Sequence, residues 1–386
     1  MAARAARRNM SLRTLRSLRS SAVLAHRWLS LAAAAFWLVQ AATGVFAVFH
    51  WEIDDATVAG ESKPLDLAAL ERRAADLVAA VPGRRIDSIW TSAGAADRFD
   101  IHLVGAPPER DRVVRVDGAG TVLRRREDGE RLADGGLVES LILVHQKLLA
   151  GDTGKRIVGA SGLLLLSNLF LGLFVAWPRS GSWRRALLPA RTSPGPARLY
   201  SWHRTLGLWL ALPAACLVSA GVLLAFEPFT ERLVQPAPVD PPMLTMPAGE
   251  APPVGMAQAA RRALDRYPGA ALSGIGFPTA DDAWWAIRLR QSGELRRAYG
   301  KTRVYVSAVD GRVGADFDAL ASPPGRRFVD SLFAFHTGEM GGRAGRIGAL
   351  TIGLWLLSMC ALGIRLWWTR RRPRWDSAPA AGRSGT

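Results

Sequence analysis

Four long apolar stretches constrain this chain more than any other feature of its sequence. They run from Trp28 to Phe49, from Ile157 to Trp177, from Leu206 to Phe226 and from Ile347 to Trp368. Each is close to the roughly 20 apolar residues that a helix needs to cross a bilayer, and none contains Asp, Glu or Lys. The sequence therefore predicts an α-helical membrane protein with a bundle of four transmembrane helices in the lipid bilayer.

The positive charge of the chain, formally +17, is concentrated beside these stretches. Residues 1–27 carry seven Arg, residues 178–204 carry six, and residues 365–386 carry six, against a single acidic residue. Basic residues that flank membrane spans mark the cytoplasmic side. We therefore expect both termini to be cytoplasmic and segments of about 51–155 and 227–345 to lie outside. Nucleic acid is not an expected partner, because it would require the charge on one binding face.

The two halves of the chain resemble each other. Gly44 follows His26 by 18 residues, and Gly221 follows His203 by the same number. Eighteen residues make about five helical turns, so each His shares a helix face with its Gly. The second and fourth spans, together with the segments before them, match at a constant offset of 191 residues. The sequence thus predicts an internal two-fold tandem repeat.

Between the spans of each half lies a segment with the pattern of a small α+β domain. Apolar residues recur at intervals of three and four from Leu67 to Val81 and from Met256 to Tyr267, which predicts one amphipathic helix in each segment. Alternation in Arg98–Val104 and Trp284–Leu289 predicts strands of an antiparallel sheet. The Pro-rich stretch 236–253 is interpreted as a linker or lid rather than a core element.

These patterns divide the chain into nine segments. In chain order they are a basic cytoplasmic tail (1–24), transmembrane helix 1 (25–50), a first outer domain (51–136), an amphipathic segment with transmembrane helix 2 (137–177), a basic cytoplasmic loop (178–202), transmembrane helix 3 (203–227), a second outer domain with its Pro-rich linker (228–326), an amphipathic segment with transmembrane helix 4 (327–368) and a cytoplasmic tail (369–386). The predicted fold class is a transmembrane helical bundle with extracytoplasmic α+β domains.

Five of the six histidines lie at or beside the ends of the predicted spans. His26 and His203 lie on the cytoplasmic side, and His50, His145 and His336 lie on the outer side. Imidazole nitrogen ligates haem iron, and paired His from neighbouring helices can hold a haem inside a bundle. The repeat pairs His26 with His203 and His145 with His336. We therefore expect two haems, with each iron bound by one of these pairs.

The two remaining histidines and the two cysteines give weaker evidence about function. The repeat counterpart of His50 is Glu227, so His50 is kept only as a possible ligand or as a contact to the substrate. His102 is expected on a solvated strand face. Both cysteines, Cys216 and Cys360, lie inside predicted spans, and no CxxCH motif occurs, so the expected cofactor is haem b rather than covalently attached haem c.

A simpler interpretation of each histidine stays open, because an interfacial His beside Arg and Trp can serve only as a helix anchor. A non-haem metal site is less consistent with the sequence, which lacks an HxxxH spacing. Several basic residues near the histidines stand where haem propionates would emerge, although snorkelling explains their positions equally well. These residues are Arg27, Arg204, Lys155, Arg156, Arg343 and Arg346.

Several short motifs together resemble the PepSY-associated transmembrane family. They are His26-Arg27-Trp28 with Thr43-Gly44, the stretch from His145 to Gly151, His203-Arg204 with Gly207-Leu208-Trp209, and His336-Thr337-Gly338 with Gly341-Gly342. The resemblance covers roughly residues 20 to 370. It departs from the family pattern where Ala220-Gly221, Leu171-Gly172 and Leu362-Gly363 replace Thr-Gly, which leaves the four paired histidines in place.

The resemblance implies a bacterial inner-membrane protein linked to iron uptake, with PepSY domains in the periplasm. Some members resemble di-haem reductases of ferric siderophores. On this hypothesis the chain is an oxidoreductase that takes electrons from an unidentified cytoplasmic or quinol donor and passes them through the two haems to a ferric siderophore or other iron chelate. Four residues could contact an anionic or aromatic chelate, although strand alternation alone explains each of them: Trp284, Trp285, Arg288 and Arg290.

Two other functions remain open from the sequence. The first is a non-enzymatic PepSY protein that binds or regulates a partner while its histidines only pack. The second is transport of a metal or chelate, which would require a polar path through the bundle. The scattered polar residues of the spans, among them Gln40, Asn168, Ser219 and Ser358, are better explained by interhelical hydrogen bonds. Haem absorbance would separate the first alternative from the oxidoreductase.

Overall fold

The computed structural model describes residues 2–92, 94, 96–105, 111–127, 136–178, 181–190, 195–234, 236, 240–247 and 251–371, with side chains from residue 17 onwards. The helices are α1 Ala2–Ala47, α2 His50–Ala56, α3 Leu67–Ala79, α4 Gly136–Lys147, α5 Gly151–Ala176, α6 Trp183–Leu187, α7 Gly195–Ala225, α8 Glu227–Val234, α9 Met256–Arg266, α10 Pro324–His336 and α11 Gly342–Arg371. The strands are β1 Arg84–Thr91, β2 Arg98–Gly105, β3 Arg112–Asp117, β4 Val122–Glu127, β5 Ala271–Gly276, β6 Trp284–Arg290, β7 Thr302–Ser307 and β8 Val313–Phe317.

Among the described residues, four helical segments are long and apolar enough to cross a membrane. They are Ser17–Ala47, Gly151–Ala176, Gly195–Ala225 and Glu339–Arg371, and each covers one predicted span, apart from the last one or two residues of the first three spans. The basic tail predicted at 1–24 lies almost entirely within α1, which begins at Ala2. In the predicted tail at 369–386, residues 372–386 lie outside the described residues.

The chain divides into two compact units. The helical unit is made of Met1–Ala42, Leu164–Cys216 and Ile352–Thr386, and the sheet unit is made of Thr43–Leu163 and Leu217–Thr351. Both units combine segments from the first and the second half of the chain. Each therefore depends on contacts between residues that are far apart in sequence.

The helical unit is held together by small residues and by polar contacts between its helices. Ala211 and Ala214 of α7 pack against Trp355 of α11, and all three are buried. The indole Nε1 of Trp355 also donates a hydrogen bond to the Leu206 carbonyl, at 3.0 Å. Close approach through small side chains and interhelical hydrogen bonds is the usual basis of packing within a membrane.

The sheet unit contains one antiparallel sheet of eight strands in the order β4-β3-β2-β1-β5-β6-β7-β8. The sequence predicted a small α+β domain in each outer segment. The structure places both in a single sheet, because β1 pairs with β5 through Ser88–Gly276, Ile89–Ile275 and Trp90–Gly274. A Cβ at Gly274 would lie 2.6 Å from the Trp90 ring, so glycine is required where the two halves meet.

The two faces of this sheet have different chemistry. On one face, α3 and α9 cover an apolar core that contains Ile101 of β2 and Ile287 of β6, both fully buried. Side chains alternate along a strand, so Asp100, Arg115 and Arg288 belong to the opposite face. The sheet thus has an apolar face beneath helices and a face rich in charged residues.

Local sequence explains the helices on the apolar face. The Asp66 side chain accepts hydrogen bonds from the backbone N–H groups of Ala68 and Ala69, which caps the first turn of α3. The alanines of α9 let this helix lie close to the strands, because Ala259, Ala260 and Ala263 are completely buried.

The Pro-rich stretch 236–253 was interpreted as a linker or lid rather than a core element. Its described residues 240–247 lie on the sheet unit, where Leu244 and Met246 pack against the core. The Ala283 N–H donates to the Leu244 carbonyl at 2.8 Å, and the Met246 N–H donates to the Ala280 carbonyl at 3.0 Å. This part of the stretch therefore packs against the core of the sheet unit.

Candidate functional site

His26 and His203 come together in the helical unit. They lie on α1 and α7, and their ring centroids are 6.3 Å apart. The Nδ1 of His26 donates a hydrogen bond to the Asn168 carbonyl at 3.1 Å. A carbonyl oxygen only accepts, so the proton of the neutral His26 ring is on Nδ1 and the lone pair is on Nε2. This arrangement leaves Nε2 as the nitrogen able to bind a metal.

His145 and His336 come together in the sheet unit, with ring centroids also 6.3 Å apart. They lie near the ends of α4 and α10. The Nδ1 of His336 donates to the Leu217 carbonyl at 2.9 Å. The Nδ1 of His145 lies 3.3 Å from the Thr43 hydroxyl. Each ring is thus oriented through Nδ1 by an oxygen of a neighbouring helix.

A glycine on a neighbouring helix lies beside each of the four rings, and for three of the rings an added Cβ would be too close. A Cβ added at Gly172 would lie 2.9 Å from Cε1 of His26, and one at Gly363 would lie 3.7 Å from Cε1 of His203. For the other pair, a Cβ at Gly44 would lie 2.9 Å from Cε1 of His145, and one at Gly221 would lie 2.7 Å from Cε1 of His336. Gly44, which the sequence placed on the same helix face as His26, therefore faces the ring of His145.

His203 differs from the other three paired histidines. Its Nδ1 is buried and has no hydrogen-bond partner among the described residues. A buried polar atom without a partner costs free energy, and native proteins keep few of them. The described residues around this pair therefore leave the Nδ1 of His203 without a hydrogen bond.

Both pairs fit a group with one metal ion between two imidazoles. A metal lies about 2 Å from an imidazole nitrogen, and the nitrogen lies roughly 1 Å from the ring centroid, so two axial His ligands of a haem place their centroids about 6 Å apart. The observed separation of 6.3 Å in each pair agrees with this spacing. Within the described residues, no group of three or more His, Cys, Asp or Glu side chains is placed to hold a metal ion.

The family model for the PepSY-associated TM region matches residues 23–370. The chain belongs to the PepSY-associated TM region family. The match includes both histidine pairs and all eight strands, so it covers both units of this PepSY-associated membrane protein. A search of curated proteins found no match to the chain.

His50 is not part of either pair in this PepSY-associated protein. It begins α2, and its Nδ1 donates to the Ala47 carbonyl at 2.6 Å. Its ring lies beside Trp51, with centroids 4.7 Å apart. Burial lowers the pKa of His50 from its usual range, which favours the neutral imidazole. His50 also lines a cavity of about 430 Å³ in the sheet unit, as does His102, which the sequence placed on a solvated strand face.

A buried ionic network attaches α2 to the charged face of the sheet. Arg115 of β3 contacts Asp54 at 2.6 Å, Asp55 at 3.0 Å and Asp100 at 2.7 Å. Its side chain is only 7% exposed. Arg98 adds a contact to Asp55 at 3.3 Å. Burial raises the pKa of the Asp54 carboxyl, but its arginine partners outweigh burial and hold that pKa below the usual range. The network fixes the helix that begins with His50.

The structure also locates residues for which the sequence suggested other roles. Arg346, a candidate for propionate binding, instead forms an ion pair with Glu52 at 2.7 Å and donates to the Val48 carbonyl. Trp285, a candidate chelate contact, is buried in the core and donates to the Val254 carbonyl at 2.9 Å. Trp284 is likewise buried, and its Nε1 donates to the Pro242 carbonyl. Of the four proposed chelate contacts, only Arg288 lines the cavity.

The glycine beside His336 gives a direct test of this geometry. We expect Gly221→Ala to displace the imidazole, because the new Cβ would lie 2.7 Å from Cε1. The variant should bind less haem at the His145–His336 pair, measured as haem absorbance per protein after purification. Gly348→Ala is the matched control, because a Cβ there meets no atom within 4 Å. Equal haem content in the two variants would contradict the proposed role of Gly221.

Proposed function

We propose that this membrane protein is a di-haem b electron-transfer protein that reduces a ferric chelate, such as a ferric siderophore, on the outer side of a bacterial inner membrane. The observation that carries the proposal is the pairing of His26 with His203 and of His145 with His336, each with ring centroids 6.3 Å apart. Each pair joins a histidine from the first half of the chain to one from the second.

The protein residues at each pair hold and orient the two ligands. The carbonyls of Asn168 and Leu217 fix the Nδ1 tautomers of His26 and His336, which directs Nε2 towards a metal. Glycine on the neighbouring helix allows the rings of His26, His145 and His336 to lie close to the backbone. Haem b, if held by these histidines, would supply one-electron transfer.

The direction of electron flow follows from the charge distribution in the sequence. By the positive-inside rule, the Arg-rich segments favour a cytoplasmic-side position for His26 and His203 and a periplasmic position for the eight-stranded sheet. A cytoplasmic reductase or quinol supplies one electron for each Fe(III) that becomes Fe(II). Fe(II) is a poorer match than Fe(III) for the hard oxygen donors of a chelator. Reduction therefore weakens the chelate, and the released Fe(II) is available for uptake.

The arrangement of the strands supports the internal repeat. β1 to β4 and β5 to β8 each follow a helix of the apolar face, and they extend in opposite directions from the β1–β5 contact. Such an order is what a duplicated helix–sheet–helix unit would give. The repeat would explain why each histidine pair draws one ligand from each half.

Electron transfer to a ferric chelate can be measured directly. We expect purified protein in nanodiscs, reduced with dithionite and freed of excess reductant, to return to its oxidised spectrum when a ferric siderophore is added without oxygen. A ferrozine-type trap should collect Fe(II) in the same amount. The gallium(III) complex of the same chelator is the control, because Ga(III) cannot accept the electron.

Two outcomes would contradict the proposal. Protein that contains haem but is not oxidised by any ferric chelate would exclude the reductase. Protein that folds and binds no haem after supply of haemin would favour the non-enzymatic PepSY function, in which the histidine pairs only pack.

A further inference from the structure

The cavity of about 430 Å³ lies on the charged face of the sheet. Its volume is within the range of small-molecule sites, which is roughly 300 to 1,000 Å³. Strands from both halves of the chain line it, among them β2 with Asp100 and β6 with Arg288. The cavity therefore forms only because β1 and β5 join the two halves into one sheet.

The carboxylates that line the cavity all have arginine partners. Asp54 and Asp100 bind Arg115 at 2.6 and 2.7 Å. Glu139 lies 3.9 Å from Arg126. Their negative charge is thus largely compensated by arginines other than Arg288 and Arg296, the two further guanidinium groups in the lining.

Arg288 and Arg296 have no acidic partner at contact distance. In the part of the chain that the structure describes, no carboxylate oxygen lies within ion-pair distance of either guanidinium group. The nearby Asp330 binds Lys301 at 3.1 Å. The carboxylate of Glu339 accepts from the backbone N–H of Arg297 at 3.0 Å. The Nε of Arg296 is buried without a hydrogen-bond partner.

Burial of these two cations is costly. Burial, together with the like charges of Arg303 and Arg296, lowers the pKa of Arg288 to about 10. Burial also lowers the pKa of Arg296, although Glu339 and other groups act in the opposite direction. Buried charges in native proteins are normally paired. An anionic ligand in the cavity would supply the missing partner.

Aromatic rings lie beside the two arginines. The Arg288 guanidinium lies 5.1 Å from the centroid of Trp90. Tyr299 contacts Trp90 and Trp51 edge-on, with centroids 5.7 and 5.6 Å apart. All three rings line the cavity. Such rings offer stacking surfaces to a planar aromatic group in a ligand.

We propose that Arg288 and Arg296 form an anion-binding site in this cavity, and that its ligand is a negatively charged chelate with aromatic rings, of the catecholate class. The iron in that chelate rests on the proposed function, whereas the binding of the anion does not. The guanidinium groups bind the anionic oxygens by charge-assisted hydrogen bonds, and Trp90 and Tyr299 contact the rings. A neutral hydroxamate chelate would leave both cations unpaired.

Gallium complexes test the site without electron transfer. We would measure binding to the full-length protein in nanodiscs by equilibrium dialysis, with gallium counted on both sides. The probes are gallium(III) tris-catecholate, which is trianionic, and gallium(III) tris-acetohydroxamate, which is neutral. We expect the tris-catecholate to bind at least about ten-fold more tightly, since each hydrogen bond to a charged group contributes substantially.

Charge-removing variants make the test specific. Arg288→Gln and Arg296→Gln should each weaken tris-catecholate binding by about ten-fold, and neither should change the weak binding of the neutral complex. Arg261→Gln is the matched control, because it removes the same charge from an exposed position on α9, the helix on the other face of the sheet. Both cavity variants should fold, because each loses a partly buried charge that has no acidic partner, and thermal unfolding would verify this.

The proposal is overturned if the neutral complex binds as tightly as the anionic one, or if Arg288→Gln and Arg296→Gln bind tris-catecholate as tightly as Arg261→Gln does. If one cavity variant fails to fold, the other and Arg288→Lys decide the question, since lysine retains the charge and should retain most of the binding. Charge-dependent binding of the gallium complex, together with no oxidation of the reduced protein by the ferric complex, would support the anion site and refute the reductase.

Discussion

We expect His26→Ala and His203→Ala each to yield a protein with one haem per chain instead of two, and both to lose the same haem. The reason is that these side chains form one pair, with ring centroids 6.3 Å apart, within the helical unit. Removal of either axial ligand should abolish tight binding, so the double variant should lose no more than either single variant. His145→Ala and His336→Ala should remove the other haem and retain this one. Haem content and redox titration of the purified variants measure both effects.

His50→Ala is the control for this set, because it removes a histidine of the sheet unit that belongs to neither pair. It should retain both haems. Suppose that His50→Ala loses a full haem equivalent while His145→Ala or His336→Ala keeps both haems. This result would show that the haem ligands do not follow the internal repeat. Additive losses in His26→Ala and His203→Ala would show that these two residues hold different groups.

Arg115→Ala should destabilise the sheet unit more than any other single change to its charged face. The substitution leaves Asp54, Asp55 and Asp100 without the cation that contacts all three. Breaking a buried ion pair from one side costs about 3–5 kcal/mol, because a charge remains buried and uncompensated. Hydrogen exchange of the strands β2 and β3, measured by mass spectrometry on the protein in nanodiscs, should show much faster opening.

Arg85→Ala is the matched control for this variant. Arg85 also lies on a strand and contacts an aspartate, Asp87, at 3.5 Å, but both side chains are more than half exposed. An exposed pair of this kind contributes at most about 1 kcal/mol. Similar exchange rates in the two variants would mean that the ionic network does not hold α2 on the sheet.

The sequence predicts the membrane helices well, because the evidence for each helix lies within one continuous stretch of residues. A run of about twenty apolar residues without a carboxylate is expected in a bilayer or in a protein core, whatever the neighbouring sequence is. The strand alternation in Arg98–Val104 and Trp284–Leu289 is equally local, and the structure has strands at Arg98–Gly105 and Trp284–Arg290. The constant offsets between the halves identified which histidines to compare, and the structure places both predicted pairs at the same separation.

The sequence pattern does not predict contacts between segments that lie far apart in the chain. The sequence places His26 and Gly44 on one helix face, but which ring Gly44 meets depends on the neighbouring helix, and it is His145. The pairing of β1 with β5, which joins the two halves, leaves no local trace apart from Gly274 beneath Trp90. Arg296 lies between strands, where no periodicity indicates its position, so its place in the cavity appears only in the structure.

Trp284 and Trp285 show a further limit of reasoning from residue type. Adjacent strand residues point to opposite faces, so at most one of them could have faced a ligand on the charged side. Trp285 lies in the core, while Trp284 is covered on the other face, where a Cβ at Gly314 would meet its ring. The fold surrounds both rings, and neither is available to a chelate.

The ratio of haem to protein tests the central claim most directly. A reduced-minus-oxidised spectrum and a pyridine haemochrome assay of the purified protein, supplied with haemin during expression, should give two b-type haems per chain. Both should be extracted by acidified organic solvent, because the chain has no CxxCH motif to attach haem covalently. Folded protein without haem, or haem that stays bound to the chain after extraction, would contradict the assignment of the two histidine pairs.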